Sequence, residues 1–217
     1  MKIIDSVLNL LYPPRCIFCR KILLDDESGL CKKCQGILPK LKADECRRDI
    51  RHVRLCVFPF RYKEEVRDSL LRYKFSGVAA YGPVYADFIA KSIDENEISC
   101  DIISWVPLHK SRLRERGYDQ SEIIAKSLAK RMGLPCVRLL VKEKNNKRQS
   151  SIDDKEMRML NVSGVYRLAS NEELLGKRIL LIDDIITTGA TIGECAATLK
   201  GAGCTEIYAA AVAAAMP

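Results

Sequence analysis

A chain of 217 residues with 47% hydrophobic side chains has enough apolar material for a packed core, which excludes wholesale disorder. No apolar run approaches the ~18–20 residues that span a bilayer, and the first 14 residues make a poor secretory signal, so stable membrane insertion and export are not expected. Lys and Arg (36) outnumber Asp and Glu (28) for a net charge of +8, and ten cysteines in a chain expected in the cytoplasm point to metal, redox chemistry or packing rather than disulfides. The excess charge is uneven: residues 1–75 carry net +7, residues 76–217 net +1, and within the latter residues 104–148 carry net +8. Such asymmetry suits an anionic partner, either nucleic acid or a phosphorylated metabolite, against the background of lysines scattered on solvated faces.

In chain order, Ile3, Ile4, Val7, Leu8, Leu10 and Leu11 recur at helical spacing and stop before Pro13 and Pro14, predicting a short amphipathic helix. Two CxxC pairs follow, Cys16/Cys19 and Cys31/Cys34, with 11 residues between them. Each CxxC turn sets two thiolates on one side of a tight loop, and two facing turns complete a tetrahedral S4 site suited to zinc. A redox CxxC is the rival reading, but it needs no second pair and belongs at a helix N-terminus of a larger α/β domain. Residues 25–29 read as a turn joining two short strands of a small ribbon. A module of this size depends on its metal for stability. Cys46, Cys56, Cys100, Cys136, Cys195 and Cys204 have no partner at ligand spacing and read as apolar packing residues.

Residues 39–49 are polar and charged, the expected linker, dividing the chain into a module over 1–49 and a domain over 50–217. Strands are predicted over 53–62, 101–106, 137–141, 164–168, 178–183 and 206–215, with helices over 63–75, 83–93, 119–132 and 191–201. Residues 142–159 lack periodicity and read mostly as a loop. Alternating strands and helices argue an α/β fold: a parallel sheet with helices on both faces.

The most informative run is Ile179-Leu180-Leu181-Ile182-Asp183-Asp184-Ile185-Ile186-Thr187-Thr188-Gly189-Ala190-Thr191. A buried strand ends in two carboxylates, and a loop of small and hydroxyl-bearing residues opens into a helix. Such a loop brings backbone N–H groups and a helix N-terminus to a phosphate. Two carboxylates beside that cradle would repel a phosphate unless they hold sugar hydroxyls or a metal, which calls for a phosphorylated sugar.

This run resembles the 5-phosphoribosyl-1-pyrophosphate (PRPP) signature of type I phosphoribosyltransferases. The resemblance implies that Asp183 and Asp184 hold the ribose hydroxyls, and that Ile185, Ile186, Thr187, Thr188, Gly189, Ala190 and Thr191 form the loop around the 5-phosphate. A second stretch, residues 105–120, places four Lys and Arg side chains and a glycine after a strand and before a helix. Its pattern Pro-Leu-His…Arg-x-x-Arg-Gly-aromatic-x-Gln, joined to the double CxxC, resembles the ComF family of competence-associated proteins over residues 11–213. Tyr118 and Asp119 stand where that family more often has Phe-Asn. From the resemblance, Lys110 and Arg116 are expected to meet pyrophosphate, Arg148 and Gln149 to close over it from a mobile loop, and Mg2+ to accompany PRPP. His109 is given no catalytic role.

The resemblance further implies a part in natural transformation, through DNA uptake and handling of single-stranded DNA on the cytoplasmic side, with a competence helicase or another uptake protein as partner. Tyr62, Tyr73, Phe75 and Tyr81 are candidates to stack on bases, although aromatics at such positions are more often core. Two functions stay open: a PRPP-binding DNA-uptake protein, and an active phosphoribosyltransferase that transfers the sugar to an unidentified acceptor.

Overall fold

The computed structural model describes residues 13–38, 41, 47–143, 164–169 and 173–215. The expected helix over 3–11, Cys46, and most of the expected loop, with Arg148 and Gln149, lie outside the described residues.

The main sheet has six strands: β1 (Arg47–Arg48), β2 (Leu55–Val57), β3 (Phe60–Arg61), β4 (Ile102–Trp105), β7 (Arg178–Ile186) and β8 (Glu206–Ala214), in the order β1-β2-β8-β7-β4 with β3 also on β8. All pairings are parallel except β1 with β2. A separate antiparallel pair is formed by β5 (Leu140–Lys142) and β6 (Tyr166–Leu168). The expected strand over 53–62 is two strands, interrupted around Pro59, which has no N–H to give a ladder. The expected strand over 137–141 begins only at Leu140, and its neighbour Cys136 makes a lone bridge to Ile103.

Side-chain alternation builds two cores. Leu180 and Ile182 of β7 face one cluster, and Ile179 and Leu181 face the other; Ala210 and Val212 of β8 divide from Ala209 and Ala211 in the same way. On the first face lie α2 (Glu64–Phe75), α3 (Tyr81–Glu95) and α5 (Gln120–Met132). On the second lies α6 (Ala190–Gly201). A strand buried on both faces reads as an unbroken apolar run, as 179–182 does. The alanines of β8 let the layers approach closely, and Gly82 does the same for α3, since a Cβ there would lie 2.4 Å from Ile123 Cγ2.

The cysteine-rich module differs from the expected ribbon hairpin. Arg15 and Ile22 form a single antiparallel bridge across the first CxxC, and the second pair opens the short helix α1 (Lys32–Ile37), with Cys31 as its N-cap. The module packs on the domain. The Phe18 ring lies edge-on to Phe60, Tyr85 and Phe88, with centroids 5.6–6.4 Å away. Ser69 Oγ donates to the Ile17 carbonyl at 2.5 Å, and Arg72 Nη2 donates to the carbonyls of Ile17 and Phe18 at 2.8 and 2.7 Å. Among the described residues, no helix is long and apolar enough to cross a membrane.

Candidate functional site

The four cysteines of the two CxxC pairs converge, with all four sulfurs within 4.8 Å of one another. Zn–S bonds of ~2.3 Å in a tetrahedron set sulfurs ~3.8 Å apart, so the cluster is of the right size. Burial opposes ionisation of Cys16, but backbone N–H groups of Cys31, Cys19 and Phe18 outweigh it and bring the thiol down to about 7. Burial and the neighbouring sulfurs drive Cys34 the other way. Burial raises Cys31 as well, and a dication supplies the charge against which such a donor set ionises together. The cluster is a structural zinc site. Of the other cysteines, Cys56, Cys100, Cys195 and Cys204 are buried and Cys136 half-buried.

The acid pair is built differently. β7 continues through Asp183 and Asp184 to Ile186 rather than stopping at the acids, because β8 pairs with it as far as Ala214. The other neighbour, β4, ends at Trp105 opposite Ile182, and the chain then leaves the sheet at Pro107. The acids therefore occupy a length of β7 with one edge open, at the carboxyl end of the parallel strands, where open α/β sheets bind ligands. Into that space points the N-terminus of α5, and Ser121 Oγ donates to Asp183 Oδ1 at 3.1 Å. The Asp184 backbone N–H donates to the same oxygen at 2.8 Å. Burial, reinforced by Asp184, raises the Asp183 carboxyl well above the usual carboxylate range. Asp184 itself is buried and meets Lys74 Nζ at 2.9 Å.

After Ile186 the chain turns through Thr187, Thr188 and Gly189, and α6 starts at Ala190. Gly189 is in the left-handed region at φ 83° and has no side chain to cap the helix, while Thr188 Oγ1 accepts from the Ala190 N–H at 3.3 Å. The linker reaches this turn: the Arg48 guanidinium donates to the carbonyls of Thr187 and Ala215, and Ile50 lies against Gly189 and Gly193.

The cationic stretch is a helix, α4 (Lys110–Arg116), not a bare turn. His109 caps it by accepting from the Ser111 N–H at 3.2 Å, a structural part. Lys110 is exposed in its first turn. Arg116 Nη1 donates to Gln120 Oε1 at 2.8 Å, and its guanidinium lies 5.0 Å from the centroid of the Phe75 ring. Asp119 caps α5, accepting from Ser121 and Glu122 N–H on one oxygen and from Leu108 N–H on the other, and burial lifts its carboxyl to about 6.

Lys74, Ser121 and Arg48 were not among the expected site residues. Only Ser121 had a signal, since Asp119-x-x-Glu122 is a capping pattern that fixes where α5 begins. Lys74 reads in sequence as an ordinary cation in a helix's last turn. Of the proposed stacking aromatics, Tyr73 and Tyr81 are buried and Tyr62 packs against the core, which corrects that expectation; Phe75 alone is well exposed, at 57%.

A phosphoribosyl transferase domain matches residues 119–216, and a double zinc ribbon domain matches residues 7–54. The chain is 28% identical over 216 residues to competence protein F of Haemophilus influenzae, covering 89% of this chain and 93% of that one. It is 27% identical over 207 residues to competence protein ComFC of Streptococcus pneumoniae, covering 86% and 88%. Among solved structures it is similar to the glutamine PRPP amidotransferase of Bacillus subtilis, at 22% identity and a TM-score of 0.38 over 63% of this chain and 26% of that one. The fold is type I phosphoribosyltransferase-like with an N-terminal zinc ribbon. With the two domains matched in order and the competence proteins aligned across the junction, the chain is similar to the ComF competence proteins over most of its length.

Proposed function

We propose that this chain binds PRPP and acts in natural transformation, in DNA uptake and single-stranded DNA handling on the cytoplasmic side. The observation that carries the PRPP reading is the open-edged acid pair, Asp183 and Asp184, followed after two residues by the Thr187–Thr188–Gly189 turn and the N-terminus of α6. The acids hold the ribose hydroxyls, and the segment from Ile185 to Thr191 holds the 5-phosphate through backbone N–H and threonine hydroxyls. Lys110 and Arg116 on α4 are the cations offered to pyrophosphate, with Arg148 and Gln149 to close from the segment outside the described residues. Mg2+ would enter with PRPP, and the chemistry it would supply is positive charge to the leaving pyrophosphate. Calorimetric titration of PRPP with Mg2+ into wild type and Asp183→Asn/Asp184→Asn tests this: affinity falls by at least about tenfold in the variant, and equal affinity overturns it.

The DNA part is supported by the module's exposed cations, Arg15, Arg20, Lys21, Lys32 and Lys33, which face solvent around the cysteine cluster. Phosphate contacts of that kind give salt-sensitive, sequence-independent affinity. Anisotropy of a labelled single-stranded oligonucleotide over a salt series tests it; absence of binding at low salt overturns it. A helicase or another uptake protein is the proposed partner.

A second reading is favoured by the intact acids: turnover of PRPP, with the nucleophile of an unidentified acceptor forming a bond to C1 as the C1–O bond breaks and pyrophosphate leaves. Such a displacement needs holding and charge stabilisation and no covalent nucleophile from the protein. Release of pyrophosphate in the presence of candidate acceptors or single-stranded DNA separates it from binding alone.

A further inference from the structure

Two adjacent carboxylates next to a phosphate cradle pose an electrostatic problem, since each repels the anion the cradle attracts. The backbone donors at Asp183 only partly answer it, because the carboxyl is still held above its ordinary range by burial and by Asp184. A side chain outside the motif carries the opposite charge. Lys74 Nζ meets Asp184 Oδ2 at 2.9 Å, with only 18% and 10% of the two side chains exposed. A lysine that deep in a protein needs a strong reason to stay there, since loss of hydration is repaid only by a close partner.

The turn of α2 that carries Lys74 is tied down at every position. Arg72 donates to the two carbonyls inside the first CxxC, Tyr73 Oη donates to the Gln120 carbonyl at 2.9 Å, and the Tyr73 carbonyl accepts from Tyr118. Phe75 lies under the Arg116 guanidinium. A four-residue stretch thus touches the zinc module, the start of α5, the acid pair and the pyrophosphate cation, and Lys74 is its contribution to the acids. On the other face, Lys142 of β5 is half-buried against Tyr166 and feels Asp183 at longer range.

We propose that Lys74 is the counter-charge of the acid pair, a positioning residue that lets Asp183 and Asp184 stand beside a phosphorylated sugar. Its positive charge offsets part of the negative charge that the pair presents, so that hydroxyl acceptors are kept while repulsion of the phosphates falls. The inference rests on the PRPP reading of the same site and adds to it a residue that no part of the signature contains.

The test uses the full-length, zinc-loaded protein as wild type, Lys74→Arg, Lys74→Met, Asp184→Asn and the Lys74→Met/Asp184→Asn double variant. Calorimetry with Mg2+ and PRPP is expected to show a loss of about tenfold or more in Lys74→Met and of less than about threefold in Lys74→Arg. In the Asp184→Asn background the same Lys74→Met change is expected to alter affinity by less than about twofold, because the charge it answers is gone. A purely structural lysine lowers the melting temperature in both backgrounds and leaves affinity alone; that outcome overturns the inference, as does an equal loss of affinity in both backgrounds. A second readout needs no ligand. Carboxyl NMR titration is expected to place Asp183 higher in Lys74→Met than in wild type, since the lysine is among the charges pulling it down. An unchanged Asp183 titration overturns the inference, whereas a raised titration in a wild-type protein that fails to bind PRPP overturns the PRPP reading and leaves Lys74 as the pair's counter-charge.

Discussion

Residues 13–38 and the β7–β8 centre of the sheet both bury apolar side chains, but they do so with different resources. At the centre of the sheet, β7 and β8 cover each other along eight paired positions, and helices close both faces. In the module, Ile22, Leu24 and Ile37 stay exposed, order is gathered around four sulfurs, and the inward contacts include the Phe18 ring and the two carbonyls held by Arg72 and Ser69. The sheet owes its stability to area removed from water, the module to a metal and a seam. The two regions should therefore respond to different perturbations, with α2 and α3 as the helices that lie between them.

The largest expected effect is loss of the metal. Apparent zinc binding in small structural sites contributes about 10–16 kcal/mol, so Cys34→Ser or chelation should unfold the module outright. Hydrogen exchange read by mass spectrometry should show residues 16–38 losing protection while Leu180 to Ile182 keep theirs. If β7 loses protection in parallel, the two regions are one cooperative unit and the contrast fails.

A smaller effect sits on the sheet side and runs through pH. Burial lifts Asp119 from its ordinary value to about 6, so the folded protein holds this proton more tightly than the unfolded chain. The stabilisation is fully present below about pH 4 and is lost as pH rises towards 6. Asp119→Asn cannot titrate. The stability of wild type minus that of the variant should fall by about 3 kcal/mol across this window in urea unfolding. Zinc release at low pH affects both proteins and cancels in the difference. A flat difference would mean that Asp119 keeps its charge through water reaching the α5 terminus.

At the seam, Arg72→Ala leaves the Ile17 and Phe18 carbonyls without their cation, and two such bonds lost together should lower the urea midpoint by the equivalent of about 2–3 kcal/mol. Arg72→Lys should recover part of this. An Arg72→Ala protein as stable as wild type would place the seam's strength in the Phe18 ring contacts instead.

How much of this was readable from sequence follows the same division. The parallel sheet was readable because strands buried on both faces are apolar without interruption, and the acids and the Thr/Gly turn because they form one continuous run. The cysteine cluster was readable because CxxC spacing is local. Lys74 and Arg48 were not, because each meets its partner across more than a hundred residues and the match lies in geometry alone. The module's hairpin was expected where a bridge and a short helix stand, since a turn signal at residues 25–29 says nothing of which strands flank it. The run of β7 past Asp184 was also hidden: its length is set by the pairing with β8, whose alanines extend to residue 214.

The smallest expected effect concerns the linker, which touches the Thr187–Gly189 turn although it belongs in sequence to neither region. Ala at position 189 would be strained twice. Its backbone would sit at φ 83°, a conformation that disfavours any side chain by about 1–2 kcal/mol, and its Cβ would lie 2.9 Å from both Ile50 Cδ1 and Cγ1. Only the second strain involves Ile50, the residue that directly follows the linker. Ile50→Ala alone removes a buried side chain and weakens the protein, but in the Gly189→Ala background it also removes the clash. The two changes together should therefore lower stability by about 1 kcal/mol less than the sum of the singles. Strict additivity would show that the turn shifts away from Ile50 on its own, leaving Arg48 as the linker's one hold on the loop. A deficit of the expected size would mean that the segment from Arg48 to Ile50 sets how far the Thr187–Gly189 turn can open. The connection between the ribbon and the sheet would then run through this linker as well as through α2.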